Sequence, residues 1–148
     1  MMTVAATHAH IAPLLARMDP ADVLMVNARS RFGAVAELAQ SIAASVMTWC
    51  GIDAAGPVIM GGIIPTGTAG ATGMVWQAAT PALRLHGRTY IQQGRDIIRQ
   101  AAGRFERLAI RIRASFHAAL RHVRRLGFVL VTPLHVDGIA MHELERVL

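Results

Sequence analysis

The sequence predicts a single α/β domain built on a mixed, mostly antiparallel sheet. Apolar residues recur at helical spacing across the first third of the chain, short apolar segments separated by turn residues fill the middle, and the last third alternates helix, strand, helix and hairpin. No repeat, linker or low-complexity stretch interrupts residues 1–148, and a chain of that length can bury a full core.

Each element has a local reason. "HAHIAPLLARM" places Ile11, Leu14, Leu15 and Met18 on one helical stripe. Asp19 then Pro20 reads as an N-cap followed by proline at the first helical position, opening a short helix through "ADVLMVNA". A longer amphipathic helix is expected in "FGAVAELAQSIAAS", with Val35, Leu38, Ile42 and Val46 as its apolar stripe. "VMTWCGI", "PVIMGGII" and "GMVWQAA" read as three consecutive antiparallel strands, the first two joined by a tight turn in "DAAG". A helix is expected from Leu85 to Ala102, closed by Gly103. "RLAIRIR" alternates, with Leu108, Ile110 and Ile112 on one face and Arg107, Arg111 and Arg113 on the other. "SFHAALRHVRRL" is a helix with Ser115 as N-cap and Gly127 just past its end. The turn Asp137–Gly138 joins "FVLVTPLHV" to "IAMHELERV" as a final hairpin.

Composition narrows the function classes. The longest uncharged run, Ala54 to Leu83, contains Pro57, Pro65, Pro81 and six glycines, so it reads as strands and turns rather than a membrane helix. The opening residues show no charged leader before an apolar core, so no secretory signal is expected. A lone Cys50 forms no internal disulfide, in keeping with synthesis in a reducing cytoplasm. All fifteen basic residues are arginine. Eleven of them lie between Arg84 and Arg125 against only Asp96 and Glu106, a local balance of +9, while the rest of the chain is at −3. A strongly basic half favours an anionic partner, and the plainer reading is a set of solvated arginine faces.

Two local patterns carry a resemblance. In "TPALRLHGRT", Pro81, Arg84 and Gly87 precede a helix whose free N–H groups and positive dipole end favour phosphate. In "FHAALRHVRRLGF", Phe116, Ala119 and Val123 precede Gly127–Phe128 at fixed spacing. With the element order, these patterns resemble the GNAT fold of acetyl-CoA-dependent N-acetyltransferases, which implies a mixed, mostly antiparallel sheet with helices on both faces. The first pattern is similar to that family's pyrophosphate-binding turn, with Thr89 where glycine or alanine is expected and Leu85 where a further glycine often occurs. The second is similar to its Asn-x-x-Ala-x-x-x-Tyr-x-x-x-Gly-Phe signature. Val123 then stands at the tyrosine that would protonate the departing thiolate, and Phe116 at the asparagine.

The resemblance implies Gln77, Arg84, Gly87 and Arg88 as cofactor-binding residues, with acetyl-CoA bound weakly or not at all. It assigns no catalytic residue. "AASVMTWCGIDAAGPVIMGGIIP" and "RHVRRLGFVLVTPLHVDGIAMHELE" further resemble small GNAT-like proteins of tailed phages, which often carry tryptophan where His122 stands. That implies a protein made in the bacterial host cytoplasm and assembled into the virion, with other virion proteins or a second copy as partners and no membrane.

The remaining constellations are weaker. His8 and His10 do not share a helical face and lack flanking ligands, so no metal site is expected. His117 and His122 point apart on their helix; His135 and His142 are candidates for a contact across the last hairpin. Cys50 reads as a small core residue. Glu37 and Asp53 are carboxylates with solvent exposure expected. Arg111, Arg113, Arg121, Arg124 and Arg125 are candidates for one partner-contacting basic patch, against acidic protein surfaces more than nucleic acid. The function expected is an acetyltransferase-like structural or interaction component of a phage particle. An active N-acetyltransferase and an arginine-rich nucleic-acid-contacting protein stand as alternatives.

Overall fold

A computed structural model describes residues 1–148. The chain divides into two compact units, Met1–Ile64 with Trp76–Thr89, and Pro65–Val75 with Tyr90–Leu148.

The first unit opens with β1 (Met2–Val4), a 3-10 turn at His8–His10, α1 (Ile11–Arg17), α2 (Pro20–Ala28) and α3 (Ala34–Ala44). Pro20 takes the first helical position of α2, as its missing N–H permits. At the start of α3 the Asn27 side chain accepts a hydrogen bond from Ala34 N at 2.5 Å, which satisfies one of the helix's orphan donors. The stripe of α3 differs from the expected one. Ala34 and Leu38 are buried, whereas Val35 and Val46 are exposed, Val46 lying beyond the helix end.

Strands β2 (Met47–Asp53) and β3 (Gly56–Thr66) form an antiparallel hairpin across Ala54–Ala55, with a bulge between Gly51 and Ile52. Ile11, Leu14, Met18, Val26, Leu38, Cys50, Met60 and Ala78 make one apolar core from α1, α2, α3 and the strands. The tryptophans explain Gly61–Gly62. Trp49 faces Gly61 across the hairpin, and a Cβ there would fall 2.6 Å from its ring. A Cβ on Gly62 would fall 2.7 Å from Trp76 Nε1, which donates to Ser45 Oγ at 2.8 Å.

Strand β4 (Thr72–Ala79) belongs to both units, and so does α4 (Gly87–Ala101), which begins in the first and continues in the second. The helix starts at Gly87 rather than Leu85, because Pro81–His86 coils as a 3-10 segment after the proline. Gly103 is not in the left-handed region, so it does not close the helix as expected.

In the second unit β5 (Arg107–Arg113) runs parallel to β4, with Thr72 opposite Arg107 and Val75 opposite Ile110. Leu108, Ile110 and Ile112 are buried as their alternation requires, and so is Ala109 on the opposite face. Helix α5 (His117–Arg125) is preceded by Phe116, not Ser115, at the N-cap. Gly127 ends it at φ 88°, a left-handed residue, with Phe128 N donating to Val123 O at 3.1 Å. Arg146 caps it further by donating to Leu126 O.

The hairpin of β6 (Val129–Val136) and β7 (Ile139–Val147) turns at Asp137 and Gly138, both at positive φ, as a two-residue primed turn demands. The strand order is β1-β2-β3-β4-β5-β7-β6, a seven-stranded, mostly antiparallel sheet. The long uncharged run becomes β3, a turn and β4, and no helix is long and apolar enough to cross a membrane.

Candidate functional site

The phosphate-turn candidates fall together in the first unit. Gln77 lies on β4, Arg84 in the 3-10 segment, and Gly87 and Arg88 at the start of α4. Arg84 and Arg88 are exposed. Gly87 has φ −56° and ψ −41°, ordinary helical values that any residue adopts, so its backbone does not demand glycine. A Cβ built on it meets nothing within 4 Å. The fold therefore gives no packing reason for glycine here, and the space above it is open to a ligand. Arg84 and Arg88 stand three residues before and one residue after Gly87 in the chain, and the positive end of a fifteen-residue helix starts there, a setting that favours an anion.

A cluster that the sequence did not disclose adjoins this turn. Asp53 is the last residue of β2, and Arg17 Nη1 donates to its Oδ1 at 3.1 Å. Ala55 N donates to the same oxygen at 2.9 Å, and His86 Nε2 lies 3.2 Å from Oδ2. The Arg17 hydrogen bond, helped by those of Ala55 and His86 and opposed by desolvation, holds the Asp53 carboxyl down at about 2. Asp53 is thus engaged rather than solvent-exposed as its turn-like context suggested. Nothing in the local sequence signals this, because the three partners lie 33 and 36 residues apart.

Val123, at the position where the signature would carry tyrosine, is 2 % exposed in the second unit. It has no proton to give and almost no contact with solvent. His122 beside it sets its ring edge-on to Tyr90 of α4, centroids 5.4 Å apart. Burial, then the charges of Arg125 and Arg121, push the His122 imidazole down, which favours its neutral form.

The remaining candidates are placed as follows. Arg111 pairs with Glu143 at 3.0 Å across β5 and β7, and Arg113 lies 4.3 Å over the Phe116 ring. Arg121, Arg124 and Arg125 are exposed on α5. His135 faces Ala140 and His142 faces Pro133, so the expected histidine contact across the hairpin does not form: the register sets them on different rungs. Cys50 is fully buried, and burial pushes its thiol up, away from nucleophilic use. No group of three histidine, cysteine or carboxylate side chains is placed to hold a metal.

No protein-family model and no curated protein sequence matches this chain. Solved structures do. An acetyltransferase of the GNAT family from Streptococcus pneumoniae is 12% identical over 99% of this chain and 98% of that one, with a TM-score of 0.66. A ribosomal-protein-alanine N-acetyltransferase from Brucella melitensis is 16% identical over 100% of both chains at 0.72. An aminoglycoside acetyltransferase, solved with coenzyme A and kanamycin, is 12% identical over 99% of this chain and 94% of that one at 0.73. Identities this low speak to architecture alone, and the architecture of this chain is the fold of the GNAT acetyltransferases.

Proposed function

We propose that this protein is an acetyltransferase-like binding component that takes the phosphates of an acyl-CoA weakly and does not turn it over. The observation that carries the reading is Val123: the one position where the fold's signature would supply a proton is an aliphatic side chain sealed in a core. Arg84, Arg88 and the α4 amides around Gly87 are the residues that would hold the phosphates, and the open space at Gly87 fits such a group. Acetyl-CoA, when bound, supplies an activated acyl thioester; this chain's residues bind and orient it but offer no acid at the Val123 position for the leaving thiolate. Thr89 adds a β-branched side chain beside the phosphate turn, which favours an affinity of about 0.1 mM or weaker.

The virion setting and its partners, other particle proteins or a second copy, are supported by the sequence resemblance to phage proteins. Titration of the purified chain with acetyl-CoA, followed by thiol release with polyamine, aminoglycoside and peptide amines, tests the reading. Weak saturable binding and near-background thiol release are expected. Micromolar affinity with release far above background would make the chain an active N-acetyltransferase instead.

A further inference from the structure

We propose that Arg17, Asp53 and His86 form a clamp that positions the start of α4 for its phosphate-bearing ligand. His86 then controls affinity without touching the ligand. This rests on the phosphate-binding reading above and names the residues that preorganise that site.

The clamp joins three separate elements at one carboxylate. Arg17 ends α1, Asp53 ends β2, and His86 ends the 3-10 segment, immediately before Gly87. Arg17 Nη1 donates to Asp53 Oδ1 at 3.1 Å and to the carbonyls of Gly56 and Pro57 at 2.8 and 2.9 Å. Its Nη2 reaches Asp53 Oδ2 at 3.4 Å, the oxygen that His86 Nε2 meets at 3.2 Å. The side chains are 24%, 18% and 21% exposed for Arg17, Asp53 and His86, shielded enough for the hydrogen bonds to hold geometry.

At the other end of the 3-10 segment, Thr80 N donates to Val58 O at 2.9 Å. The stretch carrying Arg84 is therefore tied down on both sides. A segment already held in its bound arrangement loses less freedom when a ligand arrives, and that saving appears directly in affinity. His86 is a positioning residue, because its ring nitrogen bonds Asp53 rather than reaching over Gly87.

Coenzyme A titrated into the full-length chain by NMR separates the possibilities. The parent should bind, His86→Ala should bind about tenfold more weakly, and His86→Gln, which keeps an N–H near the position of Nε2, should stay within about twofold of the parent. Asp53→Asn should weaken binding comparably, and combining it with His86→Ala should add little, as expected for one connected unit. Amide exchange over residues 84–89 should quicken in His86→Ala without the ligand, while exchange in β2 and β3 stays slow. Parent-like affinity in His86→Ala, or a loss in His86→Gln as large as in His86→Ala, would overturn the clamp and leave the phosphate reading standing. Absence of binding by the parent would overturn both.

Discussion

At Asp53 a single carboxylate is governed by its neighbours. Arg17 donates to it most strongly, Ala55 and His86 add to that, and its pKa falls from 3.8 to about 2. In the unfolded chain the group binds its proton first as pH drops, so folding is favoured while the native carboxylate stays charged. The contribution is fully present above the unfolded value and is lost as pH falls through the folded value of about 2. In acid unfolding curves, Asp53→Asn should therefore show a shallower loss of stability between about pH 4 and pH 2 than the parent. Equal slopes would mean that the pairing does not survive in solution. Gly61 and Gly62 show a second control at the same scale: each leaves out a Cβ so that a tryptophan can lie against the strand.

At the scale of elements, the pairing of α4 with α5 is set by Tyr90 and Gly94 of α4 against His122 of α5 and Leu126, the residue that caps α5. Tyr90 meets His122, and one turn further Gly94 meets Leu126. A Cβ at Gly94 would fall 2.6 Å from Leu126 Cδ1, and Leu126 is itself buried. Two effects oppose in Gly94→Ala: overpacking costs about 1–3 kcal/mol and the better helix former returns about 1 kcal/mol. A net loss of roughly 1 kcal/mol is expected in denaturant titration, and Gly94→Val should lose more because it adds volume and keeps little of the helical gain. A stabilised Gly94→Ala would show that Leu126 moves freely, and with it that the helix seam is loose.

On the scale of the whole molecule, the +9 balance of residues 84–125 is partly neutralised in the fold. Arg107 pairs with Glu145 and Arg111 with Glu143, carboxylates from outside that stretch, while Arg99 pairs with Asp96, already counted within it. Such exposed pairs add little stability, but they remove those arginines from the pool available to an external anion. Arg121, Arg124 and Arg125 remain exposed together on α5, the densest group of arginines outside those pairs. Duplex DNA should bind weakly and without sequence preference, with log K falling against log salt by at most about 3 for three neutralised phosphates. Changing the three arginines to glutamate should abolish it. A steeper slope in the parent, unchanged in that variant, would place the nucleic-acid contact elsewhere and favour the arginine-rich alternative.

The sequence by itself determined most of the elements and their order, though not β1 or the 3-10 segments, since hydrophobic period, prolines and turn glycines act within a few residues. Pro20 opening α2, Gly127 ending α5, the Asp137–Gly138 turn and the alternation of β5 were all legible for that reason. It also singled out Arg84, Gly87 and Val123 as candidates, because a motif is a spacing. Tertiary structure alone decided which stripe of α3 is covered, because Ala34 and Val35 both lie inside the helix and only the packing chooses which is buried. It alone set β7 between β5 and β6, which is what brings Glu143 to Arg111. It alone joined Arg17, Asp53 and His86, whose hydrogen bonds span 33 and 36 residues: charge pairing over such distances depends on where the backbone returns, and no local periodicity records that.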